Sequence, residues 1–451
     1  MQLILPIVAP FDKLLEKSSL TGTLGPYRPS AYCITERIPE GILLFNNLTK
    51  AMALLSEAEW EQAADGGDPL PELVGHGFFV PIDHDDKKLC RQMRAVAKML
   101  LPASKKITGY TIFTTTDCNA RCFYCFEKNA RRIPMSRAVA EKAASFIVAH
   151  CGGKTVALSW FGGEPLYNRE AIDIICTRLR EKGVAFRSSM VSNGYLFDEE
   201  TVRTALEDWQ LEKVQITLDG TEEVYNRAKA YIYKGVNAFE RVISNIHLLL
   251  GAGIRVSIRL NIDIYNADNL LELATYLAQE FQGEKNLNVY VHPLFGDTLH
   301  FGVDDPSRRA VIYEKIAQIQ QLLEKGGLCR TSRFTRVIKT SQCMADNPQS
   351  LTILPTGQLG KCEHCTDEYF VGHLDTPDEM DQAELAAFQA SYPEIEECNS
   401  CPLYPDCFRL ARCHDPRYAC TKELRENWQR KIRAGMKATF YSNNGDESAT
   451  C

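Results

Sequence analysis

Three cysteines open the chemistry of this chain. Cys118, Cys122 and Cys125 stand in the run Thr116-Asp117-Cys118-Asn119-Ala120-Arg121-Cys122-Phe123-Tyr124-Cys125, a C-x3-C-x2-C set that brings three thiols onto one short loop. Three thiolates can hold a 4Fe–4S cluster by three corners. Such clusters ordinarily take four cysteines, so the fourth iron would stay open to a ligand. A zinc knuckle would use the same residue types. The loop follows the apolar, β-rich run Tyr110-Thr111-Ile112-Phe113-Thr114, which places it at the carboxyl end of a predicted strand.

A second cysteine-rich stretch lies in the last third. Cys343 is followed by thirteen residues, then Gly357, four more residues and Cys362, with Cys365 just beyond. Next come Cys398-x2-Cys401-x5-Cys407, Cys413 and Cys420. Of 17 cysteines, nine fall between Cys329 and Cys420, and a reducing compartment would turn such a cluster toward metal ligation rather than disulfides. Cys362-x2-Cys365 and Cys398-x2-Cys401 are pairs of zinc-ribbon type. That reading leaves Cys343, Cys407, Cys413 and Cys420 unexplained. Cys33, Cys90, Cys151, Cys176, Cys329 and Cys451 fit no motif and read as ordinary small residues.

Smaller signals follow predicted strands. In Gly162-Gly163-Glu164-Pro165 two glycines allow close backbone approach to a ligand, and the proline suits a first helical turn. Ser192-Asn193-Gly194 ends the third predicted strand and Asp219-Gly220 the fourth; their polar groups could hydrogen-bond a ligand, or simply form turns. Arg259 lies within the fifth strand, where a guanidinium could grip a carboxylate or face outward.

The elements that must carry these residues alternate. Strands are predicted at 109–115, 155–160, 184–191, 213–218, 254–261 and 287–292, separated by helical patterns such as Arg137–His150, Arg169–Lys182, Asn237–Leu250 and Asp268–Gln282. Six strand–helix units imply a parallel sheet with helices outside, too few for a closed eight-stranded barrel. Residues 1–95 differ: strands at Tyr32–Arg37 and Gly41–Phe45, a capping box of Ser56 and Glu59, and a last strand at His76–Pro81. A helix over Asp85–Leu101 connects this module to the barrel. Residues 426–451 read as a tail, polar from Ser442 onward.

Composition narrows the partners. The 451 residues are 45% hydrophobic, enough for two or three domains, and carry a net charge of −7 with no strongly basic segment. That weighs against nucleic acid. The opening Met-Gln-Leu-Ile-Leu-Pro-Ile-Val-Ala-Pro makes a poor signal peptide, and no apolar run is long enough for a bilayer. The expectation is a cytoplasmic protein with no membrane partner.

The Cys118 loop together with Gly162–Pro165, one strand downstream, resembles the radical S-adenosylmethionine (SAM) superfamily. The resemblance implies that Cys118, Cys122 and Cys125 bind a 4Fe–4S cluster whose open iron is chelated by SAM. Cofactor contacts would come from Tyr124, Gly162, Gly163, Glu164, Pro165, Ser192 and Asn193, and catalytic contacts from Asp219 and Arg259. It also implies reductive cleavage of SAM to a 5′-deoxyadenosyl radical, fed by a small electron donor such as a flavodoxin or ferredoxin. The C-terminal cysteines resemble the SPASM domain with its two auxiliary 4Fe–4S clusters. Carried over, Cys398, Cys401, Cys407 and Cys420 would bind the distal cluster, and Cys343, Cys362 and Cys413 the proximal one, with Cys365 or a substrate thiolate as its fourth ligand. The family's usual spacing puts three residues where Phe408–Arg412 supplies five, which bears on Cys413. Residues 1–95 are similar in position to the leader-peptide module of radical peptide maturases. The fold implied is α/β: a partial (β/α)6 barrel over 107–300, with the small N-terminal α+β module and a C-terminal cysteine-rich iron–sulfur domain at 330–425. The function implied is maturation of a ribosomally made precursor peptide, most simply by a Cys thioether. The runner-up is oxidation of Cys or Ser to formylglycine, and an iron–sulfur or zinc-binding adaptor is the reading from another class.

Overall fold

The computed structural model describes residues 1–8, 26–64, 69–100, 106–294, 306–329, 339–364, 367–413 and 420–443. The N-terminal region holds β1 (Gln2–Leu5), β2 (Tyr27–Pro29), β3 (Cys33–Ile38), β4 (Gly41–Asn46), β5 (Met52–Leu55) and β6 (Phe79–Pro81). Four of these form an antiparallel sheet in the order β1-β5-β4-β3, while β2 pairs with β6. The helix Glu57–Ala64 starts at the expected capping box: Glu59 Oε2 accepts from the Ser56 backbone N–H at 2.9 Å, and the Glu59 N–H reaches Ser56 Oγ at 3.3 Å. The connecting helix spans Asp86–Leu100.

Every residue of β4, Gly-Ile-Leu-Leu-Phe-Asn, is buried. A strand that alternates apolar with polar needs one covered face; a continuous apolar strand needs two. Ile42 and Leu44 pack with Ala63 and Phe79 on one side. Leu43 and Phe45 pack on the other with Met436 and Phe440. Those last two belong to a helix, Lys422–Asn443. The segment expected to be a tail from residue 426 is therefore helical over its described residues, because the second face of β4 requires a cover. Arg433 donates to the Thr35 carbonyl at 3.1 Å, and Lys437 pairs with Glu36 at 2.8 Å.

The central sheet begins with six parallel strands, β7 (Gly109–Thr115), β8 (Val156–Gly162), β9 (Phe186–Ser192), β10 (Leu211–Leu218), β11 (Arg255–Ile262) and β12 (Leu287–Pro293). They lie side by side in sequence order, each paired in parallel to the next. Helices at Arg137–His150, Arg169–Glu181, Glu199–Glu207, Ala238–Gly251 and Ala267–Glu280 intervene. Ser136, Asp198 and Asn237 cap three of them by accepting backbone N–H bonds. This is the expected partial barrel, but the sheet does not end at β7. β13 (Ser350–Ile353) adds in parallel to β7, and β14 (Gln358–Gly360) and β15 (Gly372–His373) follow antiparallel, making nine strands. No helix among the described residues is long and apolar enough to cross a membrane.

Candidate active site

The barrel's carboxyl edge gathers most of the predicted residues around one cavity of about 550 Å³. It is lined by the three cysteines of the Cys118 loop, Tyr124, Gly162, Gly163, Ser192, Asn193 and Arg259; Glu164, Pro165 and Asp219 lie behind its wall. Its central piece is the Cys118 loop, which leaves β7 at Thr115 and is gripped by backbone bonds from neighbouring connections. The Gly163 N–H donates to Thr115 O and the Glu164 N–H to Asp117 O, both at 3.0 Å; the Arg121 N–H donates to Lys229 O at 2.8 Å and the Ile232 N–H to Asn119 O at 2.9 Å. Gly162 has φ +113, and a Cβ there would stand 2.1 Å from the Thr115 carbonyl oxygen; one at Gly163 would stand 2.2 Å from that of Asp117. The glycine pair is thus needed for close packing of the β8 end against the cysteine loop.

Glu164 is fully buried and acts as a tie rather than an outward-facing group. Its carboxyl accepts from Ser192 Oγ at 2.9 Å, the Asn193 N–H at 2.8 Å and the Leu166 N–H at 3.2 Å, capping the short turn Pro165–Asn168. Burial pushes this carboxyl up to about 7 despite those donors. Ser192, expected at the cofactor, directs its hydroxyl to Glu164. Asn193 turns toward the loop, donating to Asn119 Oδ1 at 2.6 Å with Cys118 Sγ 3.7 Å away.

Tyr124 and Asp219 come together inside the barrel. The Tyr124 hydroxyl donates to Asp219 Oδ2 at 2.7 Å and accepts from Lys229 Nζ at 2.8 Å. Lys229 also pairs with Asp219 at 2.9 Å, both side chains being 3% exposed, and donates to Thr217 Oγ1 at 2.6 Å. Asn261 donates to Asp219 Oδ1 at 2.9 Å. Burial, the largest single influence, pulls the Lys229 ammonium down; Asp219, Tyr124, Cys122 and Tyr225 together outweigh it and hold the ammonium well above its usual range. Asp219 therefore orders the cavity floor through a buried ion pair. Arg259 faces the cavity from β11, its Nη2 2.8 Å from His292 Nδ1 on β12. Nothing local marks Lys229, a lone lysine ending the helix Glu222–Lys229, or Asn261 and His292, which read as ordinary strand residues. Glu127 was also missed. It is 8% exposed, with burial foremost and Asp367 second pushing it up to about 8, and it lines the cavity.

The C-terminal cysteines approach from the β13 side. Gly357, at φ +94, turns the β13–β14 hairpin, with Leu354 and Gln358 paired across it. Because a hairpin returns the chain to its starting end, Cys343 before β13 and Cys362 after β14 emerge together. Met344 and Glu363, adjacent to these two cysteines, and His364, one residue further on, line the cavity, and the His364 ring meets Phe126 edge-on at 4.8 Å. Burial pushes the Cys343 thiol up to about 11, and the Cys413 sulfur lies close enough to act in the same sense. Cys401 is likewise raised by burial and feels Cys407 and Cys420. Cys365 lies outside the described residues.

Residues 112–277 match the family model described as the Radical SAM superfamily, so the barrel is a radical SAM domain. The chain is 33% identical over 155 residues to a GTP 3′,8-cyclase of Rhodopirellula baltica, covering 33% of this chain and 40% of that one. It is 27% identical over 180 residues to a probable GTP 3′,8-cyclase of Methanosarcina mazei, covering 38% and 50%. The chain thus spans half or less of the length of these curated relatives. Among solved structures, native anSMEcpe with bound AdoMet and Cp18Cys peptide superposes with TM-score 0.55 at 16% identity, covering 72% of this chain and 99% of that one. Streptococcus suis SuiB bound to precursor peptide SuiA gives 0.52 at 13% identity, covering 88% and 99%. At these identities the likeness is one of fold.

The family implies a 4Fe–4S cluster and SAM, and the residues present fit them. Burial pushes the Cys118 and Cys125 thiols up to about 12 and 11 and raises Cys122 as well. Buried thiols of this kind give up their protons to a cationic centre rather than to water. Among the described residues, no three His, Cys, Asp or Glu side chains are gathered around a single-ion site.

Proposed function

We propose that the protein is a radical SAM peptide maturase, which removes hydrogen from a ribosomally made precursor peptide and installs a cross-link, in the simplest case a Cys thioether. The observation that carries this reading is the shared cavity: the Cys118 loop and the flanks of Cys343 and Cys362 line one space of about 550 Å³. That volume is of the size that holds a cofactor with part of a substrate. When bound, SAM and the iron–sulfur groups would supply a hydrogen-abstracting radical in this space and an electron acceptor at its rim. Cys118, Cys122 and Cys125 would hold the first cluster. Cys343, Cys362 and Cys413 would hold the proximal auxiliary cluster, with Cys365 or substrate completing it, and Cys398, Cys401, Cys407 and Cys420 the distal one.

The chain's own residues bind and orient. Lys229 spends its three N–H bonds on Asp219, Tyr124 and Thr217, and with Asn261 this buried group fixes the cavity wall beside the Cys118 loop. Gly162 and Gly163 hold the cysteine loop against β8. Arg259 and His292 present donors to the substrate side. Residues 1–95 would recognise the leader segment. A peptide substrate is further supported by the precursor-peptide and Cys-peptide complexes of the two structural neighbours. Oxidation of a Cys or Ser to formylglycine is the second reading; the separate N-terminal sheet, which a side-chain oxidation does not need, disfavours it.

The test is anaerobic incubation of the reconstituted protein with SAM, a reductant and the peptide encoded by a neighbouring short Cys-rich reading frame. The expected result is 5′-deoxyadenosine together with a peptide that has lost two hydrogens and one free thiol. Consumption of GTP in place of any peptide would overturn the reading in favour of the activity named for the curated relatives.

A further inference from the structure

The N-terminal sheet and the Cys398–Cys407 loop are joined by polar contacts that neither a barrel reaction nor peptide capture requires. Lys50 sits in the β4–β5 turn with φ +59, a region that residues bearing a side chain seldom adopt. Asn46 holds the turn, its Oδ1 accepting from the Leu48 and Thr49 N–H groups at 2.8 and 3.1 Å. The Lys50 side chain is 2% exposed and donates across the interface to Asp406 Oδ2 at 2.7 Å. Asn47 donates to the Pro402 carbonyl at 2.9 Å. From the helix Asp86–Leu100, Arg94 donates to the carbonyls of Tyr404, Pro405 (3.3 Å) and Cys407 (3.0 Å). Its guanidinium lies 4.8 Å from the centroid of the Tyr404 ring and 4.4 Å from that of Phe408.

These contacts fall beside the ligands. Pro402 follows Cys401, Asp406 precedes Cys407, and the Cys407 carbonyl is itself held. Between Glu396 and Cys407 the chain has only two short turns of its own, Glu396–Asn399 and Tyr404–Asp406. Such turns cannot by themselves fix the spacing of thiols. A strained, buried lysine persists only where its surroundings over-determine it.

We propose that Asn47, Lys50 and Arg94 are positioning residues for an iron–sulfur site at Cys398, Cys401, Cys407 and Cys420, so that the N-terminal module and this site assemble as one linked unit. The inference rests on reading those cysteines as a cluster site. Linkage is reciprocal: if docking of the module favours the assembled loop, occupancy of the loop favours docking by the same factor.

The experiment uses the full chain with Cys118, Cys122 and Cys125 changed to Ala, so that the remaining iron reports the C-terminal sites alone. Lys50→Met, Arg94→Gln and the control Cys407→Ala are reconstituted anaerobically in that background. Iron content and the electron paramagnetic resonance of the reduced protein are then measured. Each variant is expected to lose as much iron as Cys407→Ala, about half of about eight atoms, with the same signal missing. Adding Asp406→Leu to Lys50→Met should restore the iron, since an apolar pair of similar volume can replace a buried ion pair. In the unmodified protein, iron loading should slow hydrogen exchange in residues 41–55 and 86–100; in Cys407→Ala it should not. Full iron in Lys50→Met and Arg94→Gln alongside loss in Cys407→Ala overturns the proposal and leaves the cluster assignment standing. Full iron in Cys407→Ala removes the cluster assignment and the proposal with it. If Lys50→Met does not fold, Arg94→Gln and the exchange measurement on the unmodified protein decide, and unchanged exchange on loading overturns the linkage.

Discussion

The two cysteine regions hold their thiols by opposite means. Cys118, Cys122 and Cys125 lie on one loop, and the groups that fix it come from the ends of adjacent parallel strands: Gly163 and Glu164 after β8, Asn193 after β9, Lys229 beyond β10. The C-terminal set runs from Cys343 to Cys420. It is held by a hairpin added to the far side of β7 and by an N-terminal turn; Lys50 and Asp406 stand 356 positions apart. The contrast teaches where positional information resides. In the barrel it travels with the motif, because strand order puts each loop beside the next. At the C-terminal site it comes from distant parts of the chain, so the thiols are fixed only once the tertiary structure has formed.

That contrast can be broken most directly at the thiols. Changing Cys118, Cys122 and Cys125 together to Ala should abolish cleavage of SAM and remove about four iron atoms, while Cys343→Ala or Cys420→Ala should spare cleavage and lose modified peptide; assays of iron, 5′-deoxyadenosine and peptide mass read all three. Lys229→Met leaves Asp219 buried without its cation and should cost about 3–5 kcal/mol in denaturant unfolding. Equal stability would show that the cavity floor does not depend on the pair. Gly163→Ala forces a Cβ to within 2.2 Å of the Asp117 oxygen. It should displace the cysteine loop at a cost of about 1–3 kcal/mol and cut cluster retention, whereas Gly251→Ala, which meets nothing within 4 Å, should spare the iron.

The smallest expected effect lies at the edge of the C-terminal region. Glu394 is held at about 2, below its ordinary 4.5, chiefly by the hydrogen bond from Lys87 and next by the Tyr404 hydroxyl. A depressed carboxyl stabilises the fold above the unfolded value, and the contribution fades as pH falls from 4.5 toward 2. The difference in melting temperature between wild type and Glu394→Gln should therefore be constant near neutral pH and shrink below pH 4.5. Glu394 is well exposed, so the difference will be small. A difference that grows on acidification would refute the assignment.

Much of the barrel was legible because period and turn chemistry agreed. The six predicted strands match β7–β12 to within a few residues, and the Cys118 and Gly162 motifs fall at strand ends as expected. What escaped has a physical cause. β13 is a four-residue strand, Ser350–Ile353, too short to announce itself, and it exists through pairing with Gly109–Ile112. Glu164 was read as facing a ligand, but burial draws its carboxyl into a hydrogen-bond knot with Ser192, which itself lines the cavity. Lys229 has no local signature, since its partner Asp219 is ten residues away across a helix. The continuous apolar run in β4 was the clue to a second cover, but nothing near it named the helix at Lys422–Asn443.

That doubly covered strand bears on how the molecule is made. On the ribosome the N-terminal sheet emerges early, with Ile42 and Leu44 soon sheltered by the helix at Glu57–Ala64. Leu43 and Phe45 must wait for Met436 and Phe440, nearly four hundred residues later. Throughout that interval the nascent protein presents a greasy, strand-shaped surface of the kind that chaperones bind and that seeds aggregation. Poor yield from versions shortened before residue 436 would then reflect unfinished shelter for the first sheet, with the catalytic barrel itself intact.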